Sequence, residues 1–522
     1  MKNAPGIFND VIGPVMRGPS SSHTAASWRI AKMGMDILNE PLKKAIVDFD
    51  KDGAWAPNYR EQGTTVGIDG GLLGLEMTDD RMKQTEKLAR EKNISILYEI
   101  NSFPTIHVNT VRLTLEGIHG KTTRILGVSL GGGSMEIREV NGFKVKMPGS
   151  FYELLLFIKD QSDIMDQIKS ILPAYQSLSR AINGETVLLN LKFSKIIPDE
   201  VQQQLWQIPS IDAVVLINPV MPIIAGNETE LPFSTIESLL KYSEEEHLDL
   251  GDIGLIYEKC KSGLGEDIVL DKMKNIVGII ENSIRIGLAG TVYKDRILPQ
   301  QSHLIREAQQ KGRITMNPLV NDIIANVAAI MESKSAMEVV VANPTAGSCG
   351  AVGGVLRAVA DDLGATHEEV IKAYFAAGMV GVYFAEGPGF SAEEHGCQVE
   401  CGASAGMAAA GIAQLFGGSA RQALGAASMA IQNMIGLVCD PVADRVEVPC
   451  LGKNISAAMN ALSSATMAVA GFNAVIPLGE VIETVSRVSA QMPTCVKCTG
   501  KGGLAITKTA FDLKVILAKN NA

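Results

Sequence analysis

The stretch PVMPIIAGNETELPFST, residues 219–235, divides the chain. Pro219, Pro222 and Pro232 lack a backbone donor and Gly226 bends freely, so neither a helix nor a strand is expected to run through it. It reads as a linker between segments of different texture. Upstream, residues 1–148 combine short alternating runs such as HVNTVRLTLEG with Gly-rich turns, notably SLGGGSMEIREVNGFKV, where strands are expected to flank the glycines. This is the pattern of an α+β domain. From 151 to 225 the order is an apolar strand (ELLLFIKD), an amphipathic helix (DIMDQIKSILPAY), alternation (ETVLLNLKF), a helix opened by Pro198 and Asp199, then the strand DAVVLINPV. That order suggests a small βαββαβ module of regulatory type. From 233 to 522, helical periods in Ala- and Gly-rich apolar segments replace the alternation, which predicts an all-helical half with close helix contacts.

The bulk numbers agree with a multidomain chain. At about 150 residues per domain, 522 residues correspond to three units. Hydrophobic residues make up 46% and charged residues 20%, a globular composition. A formal net charge of -10, no dense Lys/Arg run and only 5% aromatic residues argue against a nucleic-acid partner. The N-terminus MKNAPGIFND lacks the apolar stretch of a signal peptide, so a cytoplasmic location with mostly reduced cysteines is expected. Between Lys453 and Glu480 there is no charge, but Asn454, Ser456, Asn460 and Thr466 interrupt a run dominated by Ala. A buried helix is expected there rather than a membrane span.

Five of the eight cysteines lie between 349 and 450. Cys397 in GCQVECG, Cys439 in GLVCDPV and Cys450 in VEVPCLG each stand beside Gly or Pro able to turn the chain and aim a thiolate. Their spacings of 42 (439 minus 397) and 11 (450 minus 439) match no zinc-finger or ferredoxin pattern, and composition alone favours free buried cysteines. Cys349 and Cys401 sit in small-residue helical settings and read as packing residues. CVKC, with Cys495 and Cys498, has no partner pair and suggests a structural role or one beside a cluster.

In GPSSSHTAASWRI, Ser20, Ser21, Ser22 and His23 precede an apolar helix. Hydroxyls at that position either cap backbone N–H groups or share them with a bound carboxylate, and the sequence leaves both open. His107 and Asn109 form a second polar pair in a strand-like run. Two phosphate-like motifs fail on inspection: HGKTT (119–123) has Leu115 where a P-loop needs Gly, and GGGS (131–134) has no Schiff-base lysine in context.

GPSSSHT (18–24), HVNTVR (107–112), SLGGGS (129–134), NPTAGSCG (343–350), GCQVECG (396–402), CDPV (439–442), VEVPC (446–450) and GGLA (502–505) together resemble, in order, the iron-sulfur L-serine dehydratases, here with the β and α chains fused. The resemblance implies that Cys397, Cys439 and Cys450 hold a 4Fe-4S cluster whose open iron is the Lewis acid. It implies His23 and His107 at the substrate, one of them the base, with Ser20, Ser21, Ser22 and Asn109 holding the carboxylate. It further implies an allosteric substrate-binding type of domain over 1–148, an ACT-like module over 151–225 and a catalytic α-chain-like domain over 233–522. The expected activity is elimination of water from L-serine to pyruvate and ammonia, in amino-acid degradation that can feed gluconeogenesis, by a homo-oligomer with no membrane partner. The sequence departs from the family near its ligands: GPGFSAEE replaces the common NASISGAE, so Gly387 stands for Asn and Glu393 and His395 are added, and Asp444, Arg445 and Lys453 are unusual. These changes leave another small hydroxy-amino acid or L-cysteine open as substrate. A non-catalytic amino-acid or redox sensor is the competing class.

Overall fold

The computed structural model describes residues 4–105, 107–159, 164–294 and 296–520. Asp163, which opens the expected helix DIMDQIKSILPAY, and the first three residues of MKNAPGIFND lie outside the described residues.

Period-two patterning builds a six-stranded sheet in the order Ser95–Asn101, Leu42–Asp50, Thr110–Gly117, Thr122–Gly131, Ser134–Val140, Phe143–Met147. Only the first pair is parallel. Helix Ala26–Leu38 lays Ile30, Met33, Ile37 and Leu38 on Val47, Leu113, Leu115 and Ile125 of this sheet. Gly127 allows the approach, since a Cβ there would stand 2.7 Å from Ile30 Cγ2. The SLGGGS hairpin turns through Gly131, Gly132 and Gly133, all with positive φ, a conformation that glycine adopts without a side-chain penalty.

The next elements run strand Tyr152–Ile158, helix Met165–Ile171, strands Ser177–Asn183 and Thr186–Phe193, helix Asp199–Trp206, strand Ile211–Ile217. The strands form one antiparallel sheet in the order Ile211–Ile217, Tyr152–Ile158, Thr186–Phe193, Ser177–Asn183. Ser177–Asn183 carried no legible signal because it is an edge strand, largely exposed and polar.

Beyond the linker the helices pack through Ala and Gly. Helix Cys401–Leu415 is buried at every position from Cys401 to Ala413. The helical half differs from expectation in two respects. It contains a two-residue strand, Val340–Val341, paired antiparallel with Val15–Met16, too short for alternation to signal. Helix Cys450–Val469 is not buried all round: it buries one stripe, including Asn454, Ala457, Ala461, Ser464 and Ala468, at the three- and four-residue spacing of one helix face. Among the described residues no helix is long and apolar enough to cross a membrane. The N-terminal segment belongs physically to the helical core, with Ile7 and Val11 seated where Cβ atoms on Gly378 and Gly381 would stand 2.9 and 2.0 Å from them.

Candidate functional site

Ser21–Ala25 forms one π-helical turn that feeds directly into helix Ala26–Leu38. Ser20 makes no capping hydrogen bond there, so its hydroxyl is available for other partners. Ser20 Oγ lies 3.1 Å and Ser22 Oγ 3.3 Å from His23 Nδ1, while His23 Nε2 lies 3.0 Å from Asn58 Oδ1. An amide oxygen only accepts, so Nε2 carries the proton and Nδ1 offers a lone pair. The imidazole is fully buried, tilted against Trp55 at 5.6 Å between ring centres. Burial lowers its pKa, against the opposing pull of Glu393 and Asn58, and keeps it a neutral base.

The turn is joined to the helical half. Ser22 Oγ donates to Glu393 Oε1 at 3.0 Å, the same oxygen lies 3.5 Å from His23 Nδ1, and Ser391 Oγ donates to Glu393 Oε2 at 3.0 Å. Ser21 Oγ accepts from the Ala346 backbone at 3.2 Å. Glu394, next along the single-turn helix Ala392–His395, faces His107 Nε2 at 3.4 Å, and His107 Nδ1 accepts from the Asn109 backbone at 3.1 Å. One short helix thus engages both predicted histidines, and Cys397 follows it after Gly396. Asn109 is fully buried with neither side-chain polar atom paired, and Asn343 is in the same state. Buried amides of this kind can take a hydrogen-bond partner from a polar ligand or an ordered water.

Cys397, Cys439 and Cys450 are all buried, and two further thiols accompany them. Cys401, buried in the helical core, also lies 3.5 Å from Cys397, Sγ to Sγ. Cys498 is brought in by the backbone: Cys439 N donates to Val496 O at 2.8 Å and Cys498 N to Cys439 O at 2.9 Å. Cys495 is exposed and stands apart. Donation from Cys401 and Cys439 holds the Cys397 thiol well below the ordinary range, the same bonds hold Cys401 and Cys439 above it, and burial pushes Cys450 up to about 12. Lys453 Nζ donates to Val438 O at 2.7 Å and to Asp440 Oδ1 at 2.8 Å, fixing the loop that carries Cys439. Burial, with the neighbouring Cys397 and Glu393, raises the Glu400 pKa well above the ordinary carboxylate range.

Among the described residues no three His, Cys, Asp or Glu side chains come close enough to hold a single metal ion. A group of several irons needs more widely spaced sulfurs, and its donor chemistry is present: buried thiols from separate turns. Nearby, a cleft of about 410 Å³ lined by Pro19, Arg60, Lys83, Lys294, Arg445 and Glu447 opens between the two halves.

The profile of the family described as serine dehydratase alpha chain matches residues 149–505, more than half of the chain. The chain belongs to this family. It is 34% identical over 282 residues to the probable L-serine dehydratase alpha chain of Bacillus subtilis (strain 168), covering 54% of this chain and 94% of that protein. It is also 31% identical over 214 residues to the probable L-serine dehydratase beta chain of the same organism, covering 40% of this chain and 96% of that protein. L-serine dehydratase 1 of Escherichia coli (strain K12) is 31% identical over 301 residues, 54% of this chain and 64% of that protein. One polypeptide therefore carries the counterparts of both chains, and it is an enzyme of this kind.

Within this family member, sequence reading named Ser20, Ser21, Ser22, His23, His107, Asn109 and the three cysteines, and missed Asn58, Asn343 and Glu400. Asn58 lies in AWAPNYREQG, which has no periodic signal. Glu400 was readable in principle, because it lies between two cysteines, at 397 and 401.

Proposed function

We propose that the chain eliminates water from L-serine to give pyruvate and ammonia, with a 4Fe-4S cluster held by Cys397, Cys439 and Cys450. The observation that carries this reading is the bond from Ser22 to Glu393, which sets the His23 base beside a residue only four positions before Cys397 in sequence. When bound, such a cluster supplies Lewis acidity for the β-hydroxyl, needed because hydroxide leaves poorly and general acid–base help contributes only about 10²- to 10⁴-fold.

The protein's own groups divide the remaining work. His23 Nδ1, unprotonated and held by Asn58, takes the Cα proton. Hydroxyls of Ser20 and Ser21 and the unpaired amide of Asn109 hold the carboxylate, with Ser22, whose hydroxyl donates to Glu393, fixing the turn beside them. Glu400, buried beside Cys397 and with its pKa raised by that burial, gives a proton to the departing hydroxyl. The enamine left behind tautomerises to an imine, and water hydrolyses it to the 2-oxo acid and ammonia. His107, paired with Glu394, orders the neighbouring wall.

The βαββαβ order over 152–217 supports an ACT-like regulatory module beside an N-terminal domain of allosteric substrate-binding type. A cytoplasmic location suits eight unpaired cysteines. Exposed Phe472, Val475 and Ile476 support assembly as a homo-oligomer.

The test is anaerobic purification with iron and sulfide analysis, then a 2-oxo acid assay over L-serine, L-threonine, L-cysteine and other small hydroxy-amino acids. Iron, sulfide and pyruvate formation from L-serine are expected. Turnover by iron-free protein would exclude the cluster mechanism, and a loaded protein inert toward the whole panel would favour the sensor reading.

A further inference from the structure

Glu393 is the charged residue on which the two halves of the site converge, and sequence reading gave it no role. Its side chain is only 2% exposed. Oε1 accepts from Ser22 and Oε2 from Ser391, so the carboxylate uses two of its roughly four acceptor positions. Its ion-pair partner among the described residues is His23, at 3.5 Å, and no Lys or Arg pairs with it. Burial disfavours the charged form of that imidazole. The buried carboxylate therefore lacks a firm counter-charge, which an arriving cation would supply. It lies beside the hydroxyls and the base assigned to the substrate and electrostatically near Glu400 and Cys498 of the thiol group.

We propose that Glu393 binds the α-ammonium group of the substrate and makes the site selective for amino acids over the corresponding 2-hydroxy acids. The assignment rests on the amino-acid lyase reading above and deepens it. An ammonium at Glu393 has three donors for the two free acceptor positions and supplies the missing positive charge. A 2-hydroxy acid offers one neutral donor in the same place. With its ammonium there, the substrate carboxylate is left to the serine hydroxyls and Asn109, and the Cα hydrogen is brought near His23 Nδ1. Elimination consumes neither contact, so Glu393 acts as a binding residue and moves no proton.

The test uses ligands without a leaving group, so that binding is read apart from turnover. L-Alanine and L-lactate are titrated into the anaerobic, cluster-loaded protein by calorimetry, in wild type and in Glu393→Gln. Wild type is expected to bind L-alanine at least about tenfold more tightly than L-lactate, the scale of a charge-assisted hydrogen bond. Glu393→Gln removes most of that preference by weakening L-alanine while leaving L-lactate within about twofold. Glu393→Asp retains part of it. Equal weakening of both ligands would reduce Glu393 to a prop for Ser22 and His23 and overturn the proposal. So would a wild type that binds L-lactate as tightly as L-alanine, a result that needs no variant to fold. A protein that prefers L-alanine but converts none of the hydroxy-amino acids would instead overturn the proposed reaction and leave the ammonium site standing.

Discussion

Ser22 and Glu393, 371 positions apart, are joined by a 3.0 Å hydrogen bond from Ser22 Oγ to Glu393 Oε1. The bond ties the turn that precedes the first long helix to the turn that precedes Cys397. Local bonds orient each residue within its own turn, but only docking of the two halves brings them together.

The ligand assignment predicts different outcomes for neighbouring cysteines. Cys439→Ser is expected to lose most iron and sulfide, because a hydroxyl is a poor substitute for a thiolate ligand. Cys401→Ser is expected to keep both, although its sulfur lies 3.5 Å from Cys397. Iron and sulfide per chain after anaerobic purification, with the visible absorbance, decide between them. Loss in both variants would place Cys401 among the ligands.

His23 predicts the acid limb of the pH–rate profile. Its pKa is lowered by burial from 6.5, so the acid limb of kcat/KM should fall below that pH. The stability sign follows: a depressed folded-state pKa contributes fully above about 6.5 and is lost as pH falls through the lower folded value. Asn58→Leu removes the acceptor of Nε2–H and should cut kcat/KM by about 10- to 100-fold, equivalent to roughly 1–3 kcal/mol for an unsatisfied buried donor. An Asn58→Leu profile identical to wild type would remove Asn58 from the site.

Asp69 gives the opposite pH dependence. Burial raises its pKa to about 6, outweighing the hydrogen bond from Tyr98 at 2.5 Å. The folded state therefore gains from protonation: that stability is full below about 3.8 and is lost as pH rises through about 6. Asp69→Asn keeps an acceptor for Tyr98 and carries no charge. It should raise the unfolding midpoint at pH 8, by at most about 3 kcal/mol of stability, and leave it little changed at pH 4. Denaturant titrations at the two pH values check this.

Close helix contacts predict a contrast between two glycines. A Cβ on Gly287 would lie 2.1 Å from Ala329 O, and backbone cannot yield as a side chain does, so Gly287→Ala should cost about 1–3 kcal/mol or more. Gly425, inside helix Ala420–Gln432, has nothing within 4 Å of its Cβ position. Gly425→Ala should stabilise by about 0.5–1 kcal/mol through helix propensity. Equal effects at both positions would show that packing does not distinguish them.

Much of this molecule was legible along the chain because the signals are local. The period-two run HVNTVRLTLEG places Thr110–Gly117 in a sheet, prolines and Gly226 end elements at the linker, and three glycines with positive φ turn the SLGGGS hairpin. The edge strand Ser177–Asn183 escaped because its side chains face water and need no pattern. Helix Cys450–Val469 misled because Ala tolerates both the buried stripe and the solvent face, so composition alone did not distinguish a wholly buried helix from a half-buried one.

By itself the sequence determined the residue types and their order: serines before a helix, the histidines at 23 and 107, the three cysteines expected to bind a cluster, and the family they resemble. Only the tertiary structure decided which of them act together. It set Glu393 against Ser22 and His23, gave His23 its Asn58 anchor, drew Cys401 and Cys498 into the thiol group, and left the amides of Asn109 and Asn343 unpaired. Burial is the physical reason, because charge, protonation and unmet hydrogen bonds depend on what surrounds a group in space, and those surroundings come from distant parts of the chain.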